Sequence, residues 1–261
     1  MQTTALRRSV HQAVSLLPEP LRTTVREAKE SSQLLRWRLS GNPWGYPLPS
    51  GGLVNEEELR QNFRNALSSL QKSVGSESIG DYLEFGVYRG NSLLLMYDEM
   101  LRAGLNHIRL FGFDSFEGFP KDEENYWEEG LCSADYDKVV RSLNQRGVDW
   151  KRVSLTRGFF SDTLNDELIA KHNLRKVSLI MIDCDLYSAA KQALDFCGPF
   201  IHDEAIIFFD DWNPLAKENK GEKRALDEFL QENPHFKAEA IGSYSWEPGD
   251  LLGKIFRVNR T

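Results

Sequence analysis

The sequence predicts an α/β fold: a doubly wound, mostly parallel sheet, an antiparallel edge at its C-terminal end, and a helical cap in front of it. Three observations carry this. From residue 80 onward, short apolar runs alternate with helical patterns, which is how parallel strands joined by crossover helices read. The last two apolar runs have no helix between them and read as an antiparallel pair. Residues 1–40 and 56–74 carry apolar positions at helical spacing, separated by the turn-rich stretch 41–52. The expected division is a helical cap or extension over residues 1–78 and a main domain over residues 79–261.

Length and composition bound the partners. The chain has 261 residues, 41% of them apolar and 27% charged, enough to bury a sizeable core. A net charge of −7 argues against a nucleic-acid partner, which would want a basic face. No stretch approaches the roughly 18 apolar residues of a membrane span. The run after Arg7-Arg8 is too polar for a signal-peptide core. Cys132, Cys184 and Cys197 share no metal or redox spacing. These features predict a cytoplasmic protein with no membrane partner, its cysteines acting as small buried residues.

In chain order, the first helix of the main pattern covers residues 56–74, with Leu59, Phe63, Leu67 and Leu70 on one face. Strands are expected at 82–85, 109–113, 152–155, 177–182 and 205–209. Helices fit near 91–103, 135–146, 162–172, 186–197 and 222–231. The closing pair covers 235–241 and 253–258. The N-terminal helices are candidates for a homo-oligomer contact. Trp37, Trp44 and Tyr46 are candidates for lining a pocket, although anchoring is the commoner use of such side chains.

The first strand runs into a tight loop, Glu84-Phe85-Gly86-Val87-Tyr88-Arg89-Gly90, and then a helix. Strand, glycine loop and helix form the pocket where α/β sheets take nucleotide-like ligands. The spacing is neither a Walker A loop nor Gly-x-Gly-x-x-Gly, which points to an adenosine ligand smaller than a dinucleotide. The same stretch also reads as an ordinary turn with packing glycines. Ligands sit outside the carboxyl ends of the strands, and those ends are acidic. The second strand ends in Asp114, placed to accept from a ribose diol. The fourth ends in Asp183-Cys184-Asp185 and the fifth in Asp210-Asp211. Grouped carboxylates repel unless a cation sits among them. Oxygen ligands without paired His or Cys suit Mg²⁺ or Mn²⁺ rather than Zn²⁺. At least Asp183 and one of Asp210 or Asp211 are expected to share that ion, and a turn after Asp183 would let Asp185 face the site as well. Lys220-Gly221-Glu222-Lys223-Arg224 reads as a solvated helix start, and the five histidines as surface or core residues.

Five motifs then occur in order: Leu83 to Gly90, Phe113 to Pro120, Gly158 to Leu164, Asp183-Cys184-Asp185-Leu186-Tyr187, and Asp210-Asp211-Trp212. Together, over residues 80–232, they resemble the macrocin O-methyltransferase family, enzymes of the Rossmann-like class I methyltransferase fold. The resemblance implies S-adenosylmethionine and a divalent metal, Mg²⁺ or Mn²⁺, acting on a hydroxyl of a small molecule, a sugar moiety of a natural product. It implies cofactor contacts from Glu84, Gly86, Tyr88, Gly90, Ser92, Asp114, Ser115, Gly158, Phe159, Asp162 and Asp183. It further implies metal ligation by Asp183, Asp210 and Asp211, and Asp185 as general base. The residues themselves leave three other readings open: a metal-independent methyltransferase of the same fold, a metal-dependent phosphohydrolase, and a non-catalytic adenosine-binding module. Acceptor shape would lie in the cap and in loops 117–130 and 212–221. The acidic loop 121–129 is long enough to act as a lid.

Overall fold

The computed structural model describes residues 55–124, 127–212, 216, 218–245 and 251–261. The expected helices before residue 55 and the aromatics Trp37, Trp44 and Tyr46 lie outside the described residues. Seven strands form one sheet in the order β3-β2-β1-β4-β5-β7-β6. They are β1 (Asp81–Phe85), β2 (Leu110–Asp114), β3 (Val153–Arg157), β4 (Val177–Ile182), β5 (Glu204–Phe209), β6 (Phe236–Ser245) and β7 (Leu251–Arg260). The first five are mutually parallel, and β7 runs antiparallel between β5 and β6. The helices are α1 (Glu56–Ser73), α2 (Asn91–Arg102), α3 (Tyr136–Gln145), α4 (Phe160–Thr163), α5 (Asp166–His172), α6 (Tyr187–Cys197) and α7 (Gly221–Glu232).

The central strands are buried on both faces, and the strand period of two divides their side chains between two cores. Tyr82, Leu179, Met181, Ile206 and Phe208 face α1, α2 and α3. Leu83, Phe85, Ile180, Ile182, Ile207 and Phe209 face α5, α6 and α7. Helix α1 belongs to the first of these cores. Its Phe63 ring meets Phe208 edge-on at 5.0 Å, and Arg60 pairs with Asp98 and Glu99 of α2. Asn55 caps its start by accepting the Glu58 N–H, and three glutamates fill its first turn, where they complement the helix dipole.

The helix expected over 162–172 is two helices. Asn165 leaves the helical backbone and its side chain accepts the Leu168 N–H at 3.0 Å. An N-cap with Asp166 and Glu167 behind it restarts the chain as α5.

Candidate active site

Strand order reverses direction between β1 and β4, so the crevice of this sheet opens at their carboxyl ends. Gly86 leaves β1 there with φ +96°, and a Cβ on it would lie 1.6 Å from the Asp183 carbonyl oxygen. Its N–H donates to Phe113 O of β2, while Asp183 N–H donates to Phe85 O. Three strand ends are thereby stitched together, and the glycine turn abuts the first acid of β4. Gly90 caps α2 at φ +80°, and a Cβ on it would face Val139 and Leu143 of α3. Both glycines therefore serve the turn and its packing, bringing the β1 loop and the β4 acid to one place.

The sequence-predicted cofactor residues line this rim at different depths. Glu84 is fully buried. Its two oxygens accept from the hydroxyls of Tyr82 and Ser92. Burial pushes its pKa up to about 7 despite those bonds, which pull the other way. Asp114 accepts the Tyr88 N–H at 2.7 Å and the Phe116 N–H at 2.6 Å, so it ties the β1 loop to the end of β2. Tyr88 holds φ +48° in that loop. Ser115 donates to Gly118 O and accepts the Glu117 N–H, closing a local turn. Gly158 donates to Asp114 O. Phe159 leads into α4, and Asp162 stands exposed on that helix.

The acids of β4 and β5 meet. Ligand oxygens of Asp183, Asp185 and Asp211 all lie within 4.8 Å of one another. The chain turns at Asp185, which takes φ +58° while Leu186 N–H donates to Cys184 O. A γ-turn of this hand is strained for a non-glycine residue. Residues two apart share a face of a strand, and the turn holds Asp183 and Asp185 together where β4 ends. Asp210, predicted as a ligand, is not in this trio. It lies near Tyr244, whose hydroxyl pKa is raised well above its ordinary value by burial and then by the Asp210 charge. The Tyr244 ring crosses β7 at Gly253, where any Cβ would strike it at 2.3 Å.

Two more acids close in. Glu222, in the first turn of α7, is 1% exposed and accepts the Asp211 N–H at 3.1 Å. This corrects the expectation of a solvated helix start: Glu222 lies on the face of Ala225, Leu226 and Phe229, which are core residues. The spacing of three, four and seven was the signal. Asp122, also buried, acts on Asp185 from the acidic loop. The neighbouring Glu124 accepts the Gly221 N–H and pairs with Arg224, fastening the described part of that loop to the start of α7.

Burial, and then the mutual repulsion of these carboxylates, raises the pKa of Asp183, Asp211 and Glu222 well above the ordinary range, and that of Asp185 to about 7. The charges acting on these four are, among the described residues, all carboxylates. Asp211 Oδ2 and Glu222 Oε1 are buried without a hydrogen-bond partner among the described residues. An all-oxygen donor set with unanswered negative charge fits a hard divalent cation. His172 packs its ring on Phe111, remote from the acids, and Cys184 and Cys197 are buried without a disulfide.

The family model described as macrocin-O-methyltransferase (TylF) matches residues 9–237. That match starts about seventy residues before the motifs read from sequence. A tetracenomycin 4'-O-methyltransferase of Streptomyces olivaceus, acting on an 8-demethyl-8-(2,3-dimethoxy-alpha-L-rhamnosyl) compound, is 27% identical over 143 residues, 51% of this chain and 53% of that enzyme. The chain thus spans about half the length of this relative. The mycinamicin III 3''-O-methyltransferase of Micromonospora griseorubida is 22% identical over 72% of this chain and 71% of that enzyme. Among solved structures, the O-methyltransferase NovP superposes with a TM-score of 0.60 at 20% identity, covering 78% of this chain and 80% of its own. A calicheamicin methyltransferase superposes with a TM-score of 0.56 at 20% identity, covering 93% and 94%. These two show the fold. No described helix is long and apolar enough to cross a membrane.

Proposed function

Since the chain belongs to the macrocin-O-methyltransferase family, we propose that it transfers a methyl group from S-adenosylmethionine to a hydroxyl of a glycosylated small molecule, with Mg²⁺ or Mn²⁺ held at the β4–β5 rim. The observation that carries this is the meeting of Asp183, Asp185 and Asp211 beside the Gly86 turn. The named relatives methylate rhamnosyl tetracenomycin and mycinamicin III, which supports a sugar hydroxyl as the acceptor group here.

The chain's own residues divide the work. Asp183 and Asp211 would hold the cation through their carboxylate oxygens, with Asp210 next to Asp211 in the chain. A cation there supplies Lewis-acid charge that makes a hydroxyl easier to deprotonate. Asp185 takes the hydroxyl proton on its carboxylate. S-adenosylmethionine supplies an electrophilic methyl. The β1 loop, stiffened by Glu84 and Asp114, and the residues Gly158 and Phe159 border the place where it would lie. Alignment of the acceptor behind the methyl contributes several kcal/mol of a displacement barrier.

The test is methyl transfer from isotopically labelled S-adenosylmethionine to a panel of glycosylated acceptors, with Mg²⁺ and after chelation. Transfer that stops on chelation and returns with Mg²⁺ supports the reading. Transfer indifferent to chelator selects a metal-independent methyltransferase instead.

A further inference from the structure

Glu222 is the acid that the methyl-transfer chemistry leaves without work. It is 1% exposed, and one oxygen, Oε2, accepts the N–H of Asp211. The other, Oε1, has no hydrogen-bond partner among the described residues and is cut off from solvent. Asp210 and Asp185 face it with negative charge. A protein that needed only to pin the Asp211 main chain would do so with an amide, at no cost in buried charge. A buried carboxylate with one oxygen unanswered marks a missing donor or cation.

We propose that Glu222 is a positioning residue of the cation centre. One oxygen fixes the Asp211 turn, and the other accepts from a water of the ion's hydration shell. Mg²⁺ and Mn²⁺ sites of this kind keep several waters, and carboxylates outside the ligand set orient them. The placement fits: α7 starts after the 212–221 loop and returns Glu222 beneath Asp211, while Glu124 and Arg224 clamp the same turn from outside. This rests on the cation reading above, and the experiment separates the two.

Mn²⁺ binding is titrated by electron paramagnetic resonance of the free ion, without substrate, for the wild-type chain, Glu222→Gln and Glu222→Ala. Glutamine keeps the oxygen that accepts the Asp211 N–H and loses the charge and the second acceptor. Glu222→Gln is expected to weaken Mn²⁺ binding by about 10–100-fold, the usual effect of losing such a partner. In chelator it should melt no lower than wild type. Glu222→Ala, which also frees the turn, should bind more weakly still. If Glu222→Gln binds Mn²⁺ within about twofold of wild type, the residue only pins the main chain, and the proposal falls while the cation site stands. If wild type itself binds no Mn²⁺, both fall. If Glu222→Gln cannot fold in chelator, the charge serves the apo fold and the proposal is overturned.

Discussion

Replacing Asp183 by asparagine should stabilise the protein when no divalent cation is present. Ligand oxygens of Asp183, Asp185 and Asp211 lie within 4.8 Å of one another. Two unit charges at about 4.8 Å repel by roughly 3.5 kcal/mol at an effective dielectric of about 20. Partial protonation relieves some of this, so a gain of about 1–3 kcal/mol is expected from deleting one charge. For a chain of this size that is roughly 2–10 °C in Tm. The sign depends on pH. These carboxylates hold protons more tightly folded than unfolded, so their penalty is absent at low pH, where all are neutral in both states. It grows as pH rises from the ordinary aspartate range through about 7, the value for Asp185. The gain should therefore be largest near pH 8 and nearly gone near pH 4. Added Mg²⁺ should raise the Tm of wild type and leave Asp183→Asn almost unmoved. Thermal unfolding in chelator and in excess Mg²⁺, at several pH values, reads all of this. An Asp183→Asn variant that melts lower than wild type in chelator near pH 8 would refute the reasoning, because Asp183 would then have a favourable partner.

Asp185→Asn should keep S-adenosylmethionine binding and lower the single-turnover rate by about 10²–10⁴-fold. Asparagine tolerates the left-handed backbone at this position, so unchanged rates across pH would remove Asp185 from the role of base. Gly86→Ala places a Cβ 1.6 Å from the Asp183 carbonyl at φ +96°. A loss of about 3 kcal/mol or more is expected in denaturant unfolding, and an unshifted midpoint would contradict the stitched strand ends. Burial of Glu84 lifts its pKa from 4.5 to about 7, so its ionisation costs about 3 kcal/mol of stability above pH 7. That cost is absent below 4.5 and grows between the two values. Glu84→Gln should flatten this slope in a pH series of unfolding free energies, and an identical slope would place the buried charge elsewhere.

Much of this arrangement was legible in the chain. Residues 177–182 are apolar apart from Ser178, and β4 occupies those positions. Such a strand is buried on both faces, and after Ser178 nothing polar interrupts it until Asp183. The acidic strand ends were legible because parallel sheets put ligands on one rim. The break at Asn165 was written there too, as a cap residue followed by two acids, but helical spacing on either side of it reads as continuous. The purpose of Gly86 was not readable. Only the register of β1 against β4 shows that the space its Cβ would fill belongs to the Asp183 carbonyl. Asp210 and Asp211 are neighbours of identical chemistry, and their division between Tyr244 and the acid trio depends on a hairpin that returns across Gly253. Glu222 sits among Lys220, Lys223 and Arg224, and that charge run hid its inward face.

The most direct measurement is a crystal grown with Mn²⁺ and S-adenosylhomocysteine, with anomalous differences collected at the manganese edge. A peak about 2.1 Å from oxygens of Asp183 and Asp211, with the homocysteine end against the Gly86–Gly90 turn, is the predicted result. Electron density for the ligand with no anomalous peak among these acids, or with their side chains turned apart, would contradict the account.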